Sequence, residues 1–184
     1  MNIAVFVSGG GTNLQALLDA EREGFFKSHI CLVLGNRPCK GLERVAGRDC
    51  AALVHGDSED ILRLLREHEI DLVVLAGYLK ILPEEVLSAY EGRIINIHPS
   101  LLPKYGGRGM YGHHVHEAVF AHGEPYSGAT VHRVTGEVDG GTVLLQSKVN
   151  IEKLKSPEEI ADTVLVLEHQ LLKTAVKYIE EERL

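Results

Sequence analysis

Short runs of β-branched and aliphatic residues alternate along this chain with longer stretches whose apolar positions recur every three or four residues. No other feature constrains the fold as tightly. The runs are Ile3 to Val7, Ile30 to Leu34, Ala51 to Val54, Leu72 to Leu75 and Ile94 to Ile97; the periodic stretches between them are Asn13 to Glu23, Gly41 to Arg48 and Ser58 to His68. A strand that follows a helix rejoins the same sheet most simply as a parallel neighbour. The pattern therefore predicts right-handed βαβ crossovers and an α/β fold: a doubly wound, mostly parallel, Rossmann-type sheet with helices on both faces. After Pro99 the pattern changes. A Pro- and Gly-rich loop from Pro99 to Gly112 leads into a short helical stretch around Val115 to Ala121. Two strand-like runs follow, Ala129 to Val134 and Thr142 to Val149, joined through Val138-Asp139-Gly140-Gly141, which predicts a C-terminal antiparallel addition to the sheet. Ser156-Pro157-Glu158-Glu159 reads as an N-cap, a first-turn proline and two acids suited to the helix dipole, opening a helix that runs toward Glu180. With no internal repeat or linker, residues 1–184 are expected to form a single domain.

Charge narrows the partners. Nineteen Lys and Arg stand against 26 Asp and Glu, a net charge of −7, so the dense cationic face that neutralises phosphate backbones is not expected, and with it no nucleic acid partner. The chain enters its first strand-like run at Ile3 without a charged leader, and no apolar stretch reaches membrane-spanning length. Cys31, Cys39 and Cys50 are odd in number and lack C-x-x-C spacing; they read as reduced, buried thiols of a cytoplasmic protein, either monomer or homodimer.

Ser8-Gly9-Gly10-Gly11-Thr12-Asn13 follows the first strand and opens the first helix. Glycines there let free N–H groups converge on an anion at the positive helix end. A dinucleotide fingerprint would place a third glycine where Leu14 stands, and no P-loop lysine follows, so a monophosphate on a smaller ligand is the expected guest. The same residues also fit a plain strand-to-helix turn capped by Thr12 or Asn13.

In Ile94-Ile95-Asn96-Ile97-His98-Pro99, strand alternation puts Asn96 and His98 on one face, at the carboxyl end where open parallel sheets bind ligands. An amide N–H can donate to a carbonyl oxygen gaining negative charge, and an imidazole can move a proton near neutral pH. Asp139, on a distant Gly-rich turn, is expected to hydrogen-bond that imidazole, hold its tautomer and raise its pKa. Together the three suit attack of an amine on an acyl carbon. Read without further context, they could equally satisfy buried backbone groups and form an Asx turn.

With these motifs on the page, the chain resembles the phosphoribosylglycinamide formyltransferase family, folate-dependent enzymes of purine biosynthesis. The stretches that carry the resemblance are the glycine loop, Leu75-Ala76-Gly77-Tyr78-Leu79-Lys80-Ile81-Leu82, Ile94 to Pro103, Val138-Asp139-Gly140-Gly141 and Leu167-Glu168-His169. The resemblance implies transfer of a formyl group from 10-formyltetrahydrofolate, a consumed cosubstrate, to the amine of glycinamide ribonucleotide, with no permanently bound cofactor and no metal. It implies backbone at Gly11, Thr12 and Asn13 on the substrate phosphate and Glu168 on the ribose hydroxyls. Leu79, Lys80, Ile81 and Leu82, with Asn96 and Thr135, Gly136, Glu137, Val138 and Asp139, would line the folate pocket; Asn96, His98 and Asp139 would be catalytic. The chain departs from the family pattern in a longer, glycine-richer loop from Lys104 to His114, and in Arg133 and Gly136. His113, His114, His116, His122 and His132 cluster in sequence but show no ligand spacing for a metal.

Overall fold

The computed structural model describes residues 1–184. One seven-stranded sheet runs through it: β1 (Asn2–Val7), β2 (His29–Gly35), β3 (Ala51–Val54), β4 (Leu72–Leu75), β5 (Ile94–His98), β6 (Tyr126–Arg133) and β7 (Val143–Asn150), in spatial order β3-β2-β1-β4-β5-β6-β7. The first five strands pair in parallel and the last two antiparallel, as the change of pattern after Pro99 predicts.

Strand periodicity explains why the sheet has two cores. Along β1, Ile3, Val5 and Val7 enter one hydrophobic cluster while Ala4 and Phe6 enter the other, and all five are fully buried. The first cluster gathers Leu14, Leu17 and Leu18 from α1 (Thr12–Arg22), Val115 and Val119 from α5 (His113–Ala121), and Val164, Leu172 and Val176 from α6 (Pro157–Glu180). The second gathers Ile61, Leu64 and Leu65 from α3 (Ser58–Glu67) and Val86 from α4 (Glu84–Ala89). Helices thus cover both faces. The cysteines are half-buried rather than buried: Cys31 packs against one cluster, Cys39 and Cys50 against the other.

Two helices differ from their sequence patterns. The periodic stretch Gly41 to Arg48 forms only one regular turn, α2 (Lys40–Glu43), before breaking into turns ahead of Gly47, which sits at φ 77°. Helix α4 was absent from the predicted pattern because six residues show too little periodicity to register. Helix α6 starts as expected, its Ser156 hydroxyl accepting from the Glu159 amide at 3.2 Å. No helix is long and apolar enough to cross a membrane.

The order of the parallel strands puts the reversal between β1 and β4, and ligands of open α/β sheets bind outside the carboxyl ends at that point. The glycine loop leaves β1 there and the Ala76 to Leu82 segment leaves β4. They are tied together: the Leu79 amide donates to the Ser8 hydroxyl at 2.8 Å, and the Ala76 amide to the Phe6 carbonyl at 2.9 Å.

Candidate active site

β5 and β6 set the centre of the site. Their antiparallel register places Asn96 opposite His132 and His98 opposite Thr130, so all four side chains share the face opposite Ile95 and Ile97. Thr130 then fixes how the chain leaves β5. Its hydroxyl donates to the Ser100 carbonyl at 2.6 Å and accepts from the Leu102 amide at 3.2 Å and from Gln146 Nε2 at 2.9 Å.

Around His98 the hydrogen bonds define the chemistry. Its Nε2–H donates to the Tyr105 carbonyl at 2.8 Å, leaving Nδ1 facing Asp139 Oδ1 at 3.6 Å. His132 gives Nδ1–H to the Arg133 carbonyl at 2.8 Å; its Nε2 accepts from Asn96 Nδ2 at 3.0 Å and lies 3.5 Å from the same Asp139 oxygen. The other carboxylate oxygen accepts from the Gly107 amide at 2.9 Å. In the tautomers these partners select, the ring nitrogens nearest Asp139 carry lone pairs, so the carboxylate stands ready to stabilise a proton arriving on either ring.

Two expectations about Asp139 need correction. It does not hold the His98 tautomer, because 3.6 Å exceeds a hydrogen bond and the Tyr105 carbonyl does that work. Nor is the His98 pKa raised: burial dominates and lowers it from the usual imidazole value, against the opposing pull of the Asp139 charge and the Tyr105 hydrogen bond. The resting ring is neutral at neutral pH. Burial disfavours the Asp139 carboxylate as well, yet the facing His132 and His98 rings and the Gly107 amide outweigh it and keep its pKa below the ordinary range.

These residues open onto a cavity of about 610 Å³. Leu79, Lys80, Ile81 and Leu82 line it with Thr135, Gly136, Glu137, Val138 and Asp139, alongside Asn96 and His98, so the segments expected to form one pocket do meet. Leu79 and Ile81 are 50% and 63% exposed, apolar surface without a protein partner at the cavity. The glycine-rich loop contributes Gly107 to Gly112 to the lining, among them Arg108, Met110 and Tyr111.

Glu168 enters from α6. It is buried, accepts from Asn13 Nδ2 at 2.8 Å, and has its carboxyl pushed up to about 7 by burial, with Asn13 pulling the other way. That bond joins the helix to the glycine loop, whose Gly11 takes the left-handed conformation (φ 68°) as residue before α1. Neither Thr12 nor Asn13 caps the helix: both lie within its first turn, and no side chain takes up its amides. The loop itself does not line the large cavity; Glu168 connects the two.

The clustered histidines disperse. His113 and His114 are exposed beside Glu117, with His113 also 3.3 Å from Glu158, and His122 bonds the Ala118 carbonyl. His113, His116 and His132 line the cavity, and burial drops the His116 pKa to about 4. His132 is the participant that sequence reasoning did not single out. The signal was available: two strands pairing beside Asn96 bring one even-numbered position of β6 onto its face.

The domain family described as formyl transferase matches residues 1–176. The chain belongs to the formyl transferase family. Among its relatives, the Escherichia coli phosphoribosylglycinamide formyltransferase is 39% identical, aligned over 100% of this chain and 89% of its own length. The chloroplastic phosphoribosylglycinamide formyltransferase of Arabidopsis thaliana is also 39% identical over 99% of this chain; the chain spans 66% of that longer protein. The crystal structure of glycinamide ribonucleotide transformylase 1 from Symbiobacterium toebii superposes with a TM-score of 0.90 at 34% identity, covering 100% of this chain and 89% of the other. The mostly parallel sheet, antiparallel C-terminal strands and helical layers of this formyl transferase are those its sequence pattern predicts.

Proposed function

We propose that the chain transfers the formyl group of 10-formyltetrahydrofolate to the amine of 5-phosphoribosylglycinamide, giving the N-formyl product of purine biosynthesis. The observation that carries this reading is the convergence of Asn96, His98 and Asp139 on the wall of a cavity flanked by Leu79 to Leu82 and residues 135–139. The apolar strip offers a surface for the flat ring of the folate, and the polar trio sits where its formyl group would lie. Gly11, Thr12 and Asn13 would take the acceptor's phosphate, and Glu168 the ribose between phosphate and reacting amine. Both substrates leave after turnover, with no permanently bound cofactor required.

The neutral amine attacks the formyl carbon, and the carbonyl π electrons move onto oxygen. Asn96 has one amide hydrogen committed to His132, leaving the second for that oxygen. The His98 Nε2–H, given to the Tyr105 carbonyl in the free chain, is the donor the oxyanion would capture. The attacking nitrogen sheds a proton into the His98–Asp139–His132 group, whose carboxylate stabilises the imidazolium. A proton then reaches the departing folate nitrogen as its bond to carbon breaks.

The direct test incubates the purified chain with glycinamide ribonucleotide and 10-formyltetrahydrofolate and follows the deformylated folate by absorbance. Product that depends on the acceptor is the expected outcome. Deformylation at the same rate without acceptor would assign a hydrolase, and a folded sample that binds but forms no product would reduce the chain to a binding module.

A further inference from the structure

The glycine loop is held from behind by a segment that neither cavity nor motif singles out. Three consecutive carbonyls, those of Ser8, Gly9 and Gly10, each accept a hydrogen bond from the stretch joining β2 to α2 and from α2's own end. Arg37 Nε donates to Ser8 O at 3.1 Å, the Gly41 amide to Gly9 O at 2.9 Å, and Arg44 Nε to Gly10 O at 2.6 Å. Arg44 also donates to Gln15 Oε1 at 3.1 Å, so one guanidinium spans the loop and the first turns of α1. The backbones meet closely: a side chain on Gly11 would stand 2.7 Å from the Gly41 Cα, and one on Gly41 would press on Val7 and Gly9 O.

With all three carbonyls drawn to one side, the amides that follow are turned away from protein acceptors. No side chain and no loop carbonyl takes the Gly11, Thr12 or Asn13 N–H. Asn13 adds an independent sign of a missing ligand: it is 7% exposed, and its Oδ1 has no partner. A run of aligned carbonyls held by guanidinium groups also places positive charge beside a turn that must receive an anion, in a chain whose net charge is −7.

We infer that Arg44, assisted by Arg37 and the Gly41 amide, is a positioning residue for monophosphate recognition: it locks the carbonyls of residues 8–10 backward so that the amides of residues 11–13 are presented to the acceptor's phosphate. This inference rests on the reading of that loop as the phosphate site, and it extends the specificity of the site to α2, outside the residues expected to touch either substrate.

The test compares steady-state kinetics of the chain and of its Arg44→Ala, Arg44→Lys and Arg37→Ala variants on glycinamide ribonucleotide and on the dephosphorylated glycinamide riboside, with inorganic phosphate as a competitive probe. Loss of one charge-assisted hydrogen bond predicts that Arg44→Ala raises KM for the ribonucleotide about tenfold and weakens phosphate inhibition in parallel, while KM for the riboside and for the folate moves little. Arg37→Ala shifts the same ratio in the same direction, and Arg44→Lys recovers part of it. If Arg44→Ala and Arg37→Ala keep the full preference for the phosphorylated acceptor, or lose both acceptors equally, Arg44 does not position the loop, and the phosphate-site reading survives. If the unmodified chain shows no preference for the phosphate, the loop reading itself fails and the inference goes with it.

Discussion

Asp139 occupies a left-handed backbone conformation (φ 56°) that asparagine and aspartate tolerate better than other non-glycine residues. Asp139→Asn therefore removes the charge while keeping the turn. The carboxylate opposes the burial that lowers the His98 pKa, so without it that pKa falls further and the pH–rate limb governed by His98 moves toward acid; a kcat/KM profile of the variant that overlays the original would disprove the coupling. If Asn96 donates to the oxyanion as proposed, Asn96→Ala forfeits about 3 kcal/mol, and kcat is expected to drop by two orders of magnitude or more while folate KM changes little. Glu168 has a folded-state pKa of about 7 against an ordinary 4.5, so the folded chain binds the extra proton and stability declines as pH rises between those values. Glu168→Gln removes that dependence. Its thermal midpoint relative to the original chain should be near unchanged at pH 4.5 and increasingly higher up to pH 8 in the absence of substrate; a constant difference across that range would mean the carboxyl titrates normally. At this scale the sequence discloses Asn96 and His98 through strand alternation, but not the Tyr105 carbonyl that selects the His98 tautomer, since a backbone oxygen leaves no mark in residue identity.

Elements carry the site through their junctions. The carboxyl end of β5 would be a loose loop but for Thr130 on β6, whose hydroxyl gathers the Ser100 carbonyl, the Leu102 amide and Gln146 of β7. Thr130→Val keeps the shape and leaves those partners unmatched in a fully buried place. It should cost about 2–3 kcal/mol in chemical denaturation and reduce kcat, because His98 precedes the freed segment by two residues. A variant as stable as the original would show that the three partners find other bonds. Most strands were legible because alternation and apolar runs set them to within a residue, as at Ala51–Val54 and Leu72–Leu75, whereas β6 starts at Tyr126, three residues before the expected Ala129, because Ser127 and Gly128 carry no apolar mark. Helix α4 was not, although Pro83 followed by Glu84 and Glu85 has the composition of a helix start; a six-residue helix is held by tertiary contacts such as buried Val86 rather than by its own pattern. Expected helix Gly41 to Arg48 overran for the converse reason, a periodicity that continues after hydrogen bonding has stopped.

The whole molecule has two cores but one sheet between them, and every strand from β1 to β6 contributes side chains to at least one of the clusters or packs against it. Neither core can persist once the sheet opens. Residues 1–184 are therefore expected to unfold in one step, with calorimetric and van't Hoff enthalpies agreeing; a resolved second transition would divide the chain into separate domains. Fold class was the most legible property of all, because the alternation of strand and helix restricts topology before any tertiary contact is known, whereas meeting points such as Glu168 with Asn13, 155 positions apart, depend on the assembled shape.

Pairing of β5 with β6 has a bearing on how competence is acquired during synthesis. Asn96 and His98 emerge from the ribosome well before His132 and Asp139, so the face they share is incomplete until β6 pairs with β5. Catalysis would begin only once the reversed strand has docked in its proper frame, and a slip of one position there would turn His132 to the opposite side. Recovery of turnover after dilution from denaturant is thus a report on the β5–β6 register, which helical signal by itself does not read.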